Sequence, residues 1–277
     1  MNKLVLDDVL RLSLIEDVGF GDVTSEAIFS EAHFSQGFLL AKQDFILAGI
    51  EVFTRVFALL DDRVKVVSYY ADGTSIRNGE KFAVLEGPTR SLLSGERVAL
   101  NFLQRLSGIA TETRRYTAAT EGFRAVIVDT RKTTPGLRML EKYAVQVGGG
   151  KNHRYGLDAM VLIKDNHIQA AGGVFAAVQR VRNQVSPYIK IEIEVENLEQ
   201  IGQALEVGVD VIMLDNMTIT MIKEAVQMID GKALIEVSGN VTIERIGELA
   251  ATGVDIISSG ALTHSVKAAD ISMKLQS

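Results

Sequence analysis

Beyond Thr120 the sequence repeats one beat: a β-branched apolar run ending in polar residues, a stretch with helical spacing, then another run. The runs fall at 124–129, 159–164, 189–195, 210–214, 233–237 and 255–258. They are apolar almost throughout, as parallel strands covered on both faces must be, and the segments between them are long enough for crossover helices. Alternation of β and α over this length restricts the choice to an α/β barrel or a doubly wound sheet. The ends of the runs carry functional groups: Asp129 with Arg131 and Lys132, then Lys164, Glu194, Asp215, Ser238 and Ser259. Polar residues gathered at the C-terminal ends of strands point to a barrel with its active site there.

The first hundred residues have another texture, with short alternating strands expected at 37–40, 64–69 and 81–85 and helical pieces between them. This predicts a separate α+β domain. Val98, Phe102, Leu103, Leu106 and Ile109 have the spacing of a helix over 94–120 that buries one face and bridges the two domains. No linker rich in Pro, Gly or Ser separates them, so close packing is expected. A chain of 277 residues, 47% hydrophobic, can bury a large core. The absence of Cys excludes disulfides, thiolate metal sites and cysteine nucleophiles. The N-terminus lacks the order of a signal peptide, and no apolar run reaches membrane-spanning length, so a cytoplasmic enzyme is expected. The formal charge of −6 argues against nonspecific nucleic-acid binding.

Against that acidic background, the segment from Arg131 to His167 holds seven Lys or Arg and three Asp or Glu, a local +4. Such a reversal suits a site for a polyanion. Arg131 and Lys132 lie on a loop after a strand, where a solvated charged turn is the plainer alternative. Gly148–Gly150 precede Lys151, His153 and Arg154, so backbone and cationic donors stand together. This is not a P-loop, since Val145 stands where the first glycine belongs and Asn152 follows the lysine. Lys164 at a strand end is a rim lysine, a point charge for phosphate, or a Schiff-base nucleophile. Glu194 and Asp215 end consecutive strands and read either as an acid pair that stabilises a cationic transition state, with magnesium reached through water, or as counter-ions to the basic loops. Ser238-Gly239-Asn240 and Ser259-Gly260-Ala261 each precede a predicted helix start and suit phosphate, although ordinary turns use the same residues. His33 and His264 lack metal-ligand spacing, and no direct metal ligand is assigned.

Taken together, these blocks resemble the quinolinate phosphoribosyltransferases, from 16-Glu-Asp-Val-Gly-Phe-Gly-Asp-Val-Thr-Ser-25 to 260-Gly-Ala-Leu-Thr-His-Ser-265. The most specific matches are 130-Thr-Arg-Lys-Thr-133, 152-Asn-His-Arg-154, 163-Ile-Lys-Asp-Asn-His-167 and 214-Leu-Asp-Asn-216. The resemblance implies an incomplete, seven-stranded α/β barrel (111–265) with an N-terminal α/β sandwich domain (1–110) that segment 266–277 joins. It implies decarboxylating transfer from phosphoribosyl pyrophosphate to quinolinate, with Mg2+, in NAD biosynthesis. By the same resemblance Arg97, Thr130, Arg131, Lys132, His153, Arg154 and Lys164 bind substrate. Lys132, Lys164, Glu194 and Asp215 are catalytic, and the two Ser-Gly turns hold phosphate. Lys42 corresponds loosely to a basic residue supplied across a dimer interface, and a homodimer with sites completed by the partner is implied, with a hexamer left open. Asn240 departs from the second glycine common in the family; asparagine tolerates the left-handed backbone such a turn needs.

Two rival readings have distinguishing features. A Schiff-base aldolase would also use Lys164, and a paralogue of different specificity would bind without turnover. The stretch 126–130 faintly matches the phosphoribosyl-pyrophosphate loop of the doubly wound transferases, but Thr130 stands where that loop needs a second acid.

Overall fold

The computed structural model describes residues 1–276, which divide into two compact units. The first comprises Met1–Arg114, Thr133–Gly149 and Ser265–Ser277, and the second Arg115–Lys132 and Gly150–His264.

In the first unit, strands β1 (Phe34–Ala41), β2 (Phe45–Ile46), β3 (Lys65–Ser68), β4 (Ser75–Ile76) and β5 (Lys81–Pro88) form a short β2–β4 pair and most of an antiparallel sheet. The sheet order places β3 beside β5 and β5 beside β1. The expected strands at 37–40, 64–69 and 81–85 match β1, β3 and β5, with β1 and β5 extending further. Helix Ile50–Leu60 buries Val52, Phe53, Val56 and Phe57, an i, i+3, i+4 stripe, and its first N–H groups donate to the Asp72 carboxylate from Gly49 (2.7 Å) and Ile50 (3.1 Å). Helix Thr89–Ala118 covers the predicted 94–120 stretch except its last two residues and begins five residues earlier.

The segment Thr133–Gly149 packs into this first unit because its polar groups find buried partners there. Glu141 is fully buried, and its Oε1 accepts from Arg105 Nε at 2.8 Å and Nη2 at 2.5 Å, while Oε2 accepts from the Thr134 backbone N–H at 3.1 Å. Tyr143 donates its hydroxyl to Asp72 at 2.6 Å; burial, and then that hydrogen bond, push its pKa up.

The second unit contains β6 (Val126–Val128), β7 (Val161–Ile163), β8 (Ile191–Val195), β9 (Val211–Asp215), β10 (Leu234–Ser238) and β11 (Ile256–Ser258). They form one parallel sheet in the order β6-β11-β10-β9-β8-β7. Each of the six predicted runs contains one of these strands to within a residue. The sheet has six strands where the resemblance implies seven, and Lys151 adds a single parallel bridge to Val128. The crossover helices are written clearly: Leu198–Val207 buries Ile201, Ala204 and Val207, starts at Asn197, whose side chain accepts from Gln200 N–H, and stops at Gly208 with φ 68°. The last strand of the chain, β12 (Ile271–Leu275), lies in the first unit and pairs antiparallel with β1. Among the described residues no helix is long and apolar enough to cross a membrane.

Removing one partner of a buried charge pair leaves the other uncompensated. Glu141→Ala is therefore expected to destabilise the protein by about 3–5 kcal/mol in urea denaturation; a loss below about 1 kcal/mol, the scale of an exposed pair, would contradict the role given to this carboxylate.

Candidate active site

The basic half of the site is organised by a buried aspartate. Asp129, fully buried just past β6, accepts from the His153 backbone N–H at 2.9 Å and from Asn152 Nδ2 at 2.6 Å. Two backbone bonds, Lys151 N–H to Ile127 O (2.9 Å) and Asp129 N–H to Lys151 O (3.2 Å), lay residues 151–154 alongside β6. Thr130, Arg131 and Lys132 follow on the same strand end. The Thr130 hydroxyl accepts the Lys132 N–H, and the buried Thr263 hydroxyl donates to the Lys132 carbonyl at 2.8 Å.

These cations face a pocket of about 620 Å³ whose lining includes Thr130, Arg131, Lys132, His153, Arg154 and Lys164. Glu194 ends β8 and Asp215 ends its parallel neighbour β9, and both line the same pocket. Lys164 Nζ lies 2.7 Å from Glu194 Oε2, with its side chain 47% exposed, so it is an ion-paired rim lysine rather than one enclosed in apolar surroundings. Arg154 donates to the Met160 carbonyl at 3.0 Å; burial lowers its pKa, and neighbouring Arg131 lowers it further.

Of the two Ser-Gly turns, Ser238, Gly239 and Asn240 line the pocket, and Asn240 adopts the left-handed backbone with φ 49°. Helix Ile243–Ala250 begins just beyond it. Ser259, Gly260 and Ala261 are not in the lining; Ser258, one residue earlier, is. Ser259 is buried with its N–H donating to Val128 O, and helix Ala261–His264 is a single turn. Gly260 matters through shape, because a Cβ there would lie 2.9 Å from Lys132 Cδ. Arg97 and Lys42 are exposed residues of the first unit.

Two residues the sequence reading did not single out stand against His153, and one of them, Glu236, lines the pocket. Glu192 and Glu236 are buried, and His153 Nε2 lies 3.0 Å from Glu192 Oε2 and 3.7 Å from Glu236 Oε2. Three of their four carboxylate oxygens accept no aligned hydrogen bond, despite this close approach. His153 Nδ1 accepts the Arg154 N–H at 2.8 Å. His153 Nε2 thus faces the two buried carboxylates, and the residue lines the pocket. The three side chains have the donor types of a metal centre, with ligand atoms within 4.8 Å of one another. Burial, and then the charge of Glu192, push the pKa of Glu236 up to about 7, while His153 opposes the rise. The signal for Glu192 was present in Ile-Glu-Ile-Glu-Val: side chains two apart on a strand share a face, so a pocket-facing Glu194 places Glu192 beneath it. The same period relates Glu236 to Ser238.

Cations along one wall, acids at the rim and a glycine-bearing turn, all at the C-terminal ends of parallel strands, define an α/β enzyme site for an anionic substrate. Comparison with known proteins specifies this further. The family profile described as "Quinolinate phosphoribosyl transferase, N-terminal domain" matches residues 22–107, and the corresponding C-terminal domain profile matches 109–274. A "Probable nicotinate-nucleotide pyrophosphorylase [carboxylating]" of Bacillus subtilis (strain 168) is 45% identical across 99% of this chain and 94% of its own length. "Quinolinate phosphoribosyltransferase [decarboxylating] 2, mitochondrial" of Nicotiana glauca is likewise 45% identical, over 98% of this chain and 82% of its own. The crystal structure of NadC from Streptococcus pyogenes superposes with a TM-score of 0.97 at 44% identity, covering 100% of this chain and 98% of that one. The chain belongs to the quinolinate phosphoribosyltransferase family.

The raised pKa of Glu236 has a definite sign. The fold favours its protonated form, so its contribution to stability is complete below the ordinary carboxylate range and is lost as pH rises through about 7. Thermal melts from pH 4 to pH 8 should therefore show wild type losing stability relative to Glu236→Gln, with a slope of up to about 1.4 kcal/mol per pH unit. A difference independent of pH would rule this out.

Proposed function

We propose that the chain catalyses transfer of the phosphoribosyl group from phosphoribosyl pyrophosphate to quinolinate, with loss of one carboxylate, giving nicotinate mononucleotide, pyrophosphate and carbon dioxide in NAD biosynthesis. The observation that carries this reading is the convergence of Arg131, Lys132, His153, Arg154 and Lys164 with Glu194 and Asp215 on one pocket. A dicarboxylate and a pyrophosphate together need such a density of cations, and a transition state that develops positive charge on the ribose needs the acids.

In this reading Arg131 and Arg154 grip the quinolinate carboxylates, with Lys132 and Lys164 at carboxylate or phosphate oxygens. The ring nitrogen, held toward the anomeric carbon, attacks as the bond to pyrophosphate breaks. Glu194 and Asp215 stabilise the oxocarbenium character that develops. The product of this step is a pyridinium, whose positive nitrogen stabilises the carbanion left at the neighbouring carbon when carbon dioxide departs, and that carbon then takes up a proton. Ser238, Gly239 and Asn240 hold the 5′-phosphate, and Ser259, Gly260 and Ala261 support that loop and the Lys132 stem.

Glu194 and Asp215, whose hard carboxylate oxygens line the pocket, would hold Mg2+, which would supply charge neutralisation for the leaving pyrophosphate. The six-stranded sheet with its Lys151 bridge is read as the incomplete seven-stranded barrel, with the barrel domain over 111–265 and the sandwich over 1–110 and 266–277. A cytoplasmic homodimer completes the proposal, with Arg97 and Lys42 contributing to sites across the interface. Exposed Leu12, Ile15, Phe20, Val23 and Ile28 supply apolar surface for such an interface.

Incubation with quinolinate, phosphoribosyl pyrophosphate and magnesium should release carbon dioxide and form nicotinate mononucleotide. Formation of that product from nicotinate but not quinolinate would overturn the substrate. Arg131→Ala and Lys164→Ala are each expected to lower kcat/KM by tens to thousands of fold, corresponding to about 2–5 kcal/mol, with the protein still folded. Near-wild-type kinetics in either variant removes its assigned role.

A further inference from the structure

The ends of β9 and β10 are joined by a series of hydrogen bonds that can run in one direction only. The Asp215 carboxylate can only accept, so Asn216 must present its Nδ2 to Asp215 Oδ2, 2.8 Å away. That choice turns Asn216 Oδ1 toward Asn240, whose Nδ2 donates to it at 3.0 Å. The Asn240 carbonyl in turn accepts from Arg245 Nη1 at 3.0 Å, and the Asn216 backbone N–H donates to Ser238 O at 3.1 Å. Neither amide can flip without placing oxygen against oxygen.

The backbone is built around this arrangement. Asn216 and Asn240 both adopt left-handed conformations, with φ 52° and 49°, a region asparagine tolerates better than most residues. Gly239 between the strand end and Asn240 has φ 85°, and a Cβ there would lie 2.2 Å from Asn216 Oδ1. The glycine therefore makes room for the amide that holds the aspartate.

We propose that Asn216 and Asn240 are positioning residues for Asp215, coupling the anion-binding turn 238–240 to the orientation of the acid on the neighbouring strand. An anion held by the turn fixes Asn240, Asn240 fixes the Asn216 amide, and that amide holds one oxygen of Asp215. The inference rests on the role assigned above to Asp215. Loss of a supporting contact of this kind costs about 10–100-fold in activity where it has been measured at metal sites, and here the lower end is expected because the amides are exposed.

A double-mutant cycle tests it with Asn240→Gly, which keeps the left-handed backbone and removes only the amide, and Asp215→Asn. Asn240→Gly should lower kcat/KM for phosphoribosyl pyrophosphate about tenfold, leave the KM for quinolinate and the melting temperature unchanged, and add nothing to the loss already caused by Asp215→Asn. Asn216→Gly, which breaks the middle of the series, should behave in the same way. An equal loss from Asn240→Gly in both backgrounds, or no loss in wild type, overturns the inference, because Asn240 then acts through its own phosphate contact or not at all. Wild-type kinetics in Asp215→Asn alone would instead sink the role of Asp215, and the inference with it; the single variant separates these failures.

Discussion

The site depends on one buried carboxylate, Asp129. Between Lys132 and Gly150 the chain belongs to the first unit, and the cationic residues on either side of that excursion belong to the second. Asp129 ties them together: it follows β6 directly, and its two oxygens accept from Asn152 and from the His153 backbone. Burying a carboxylate costs free energy that hydrogen bonds to its oxygens offset, so the loop that brings Arg154 back to the pocket also stabilises Asp129 in its buried position. The excursion itself has a comparable anchor in Glu141, held by Arg105 and the Thr134 N–H. Two buried acids, one in each unit, thus fix the segments that flank the basic motifs.

Charge in the second unit is arranged in depth. The pocket lining carries the cations Arg131, Lys132 and Arg154 with the acids Glu194, Asp215 and Glu236, and the fully buried Glu192 stands against His153. Burial lowers the pKa of Arg154, and the neighbouring charge of Arg131 lowers it further. Glu192 counters that effect at Arg154.

The parallel strands were legible because continuous β-branched runs admit few other readings, and their functional ends could be identified without knowing the register. The intervening segments were legible only as long enough for crossover helices; the structure adds their signals, such as the Asn197 cap and the Gly208 stop. Less visible was anything whose cause is a distant partner. No local pattern marks Glu141 as the reason that 133–149 packs with the first unit, because its partner Arg105 is 36 residues away. The short β2–β4 pair was below the length at which alternation can be recognised. Glu192 and Glu236 were legible in principle from the two-residue period of a strand but were hidden by the expectation that acids on such strands sit at the ends. His153 could be placed near the pocket by its motif, but not rotated: its ring direction is set by Glu192, Glu236 and the Arg154 N–H.

The two glycines of the Ser-Gly turns show how the same residue type serves different ends. Glycine in a turn is commonly credited to backbone freedom, and at position 239 the positive φ makes that true. Gly260 has no such requirement; its missing Cβ leaves passage for the aliphatic stem of Lys132, whose carbonyl is held by Thr263. Ser259-Gly260-Ala261 therefore acts on the pocket from behind, by letting a cation from β6 reach forward, whereas Ser238-Gly239-Asn240 faces the pocket directly. Near-identical sequence at two successive strand ends thus divides into a turn that lines the pocket and a turn that shapes a residue lining it. The difference arises because β11 lies between β6 and β10, so its end is crossed by Lys132 while the end of β10 meets Asn216 from β9.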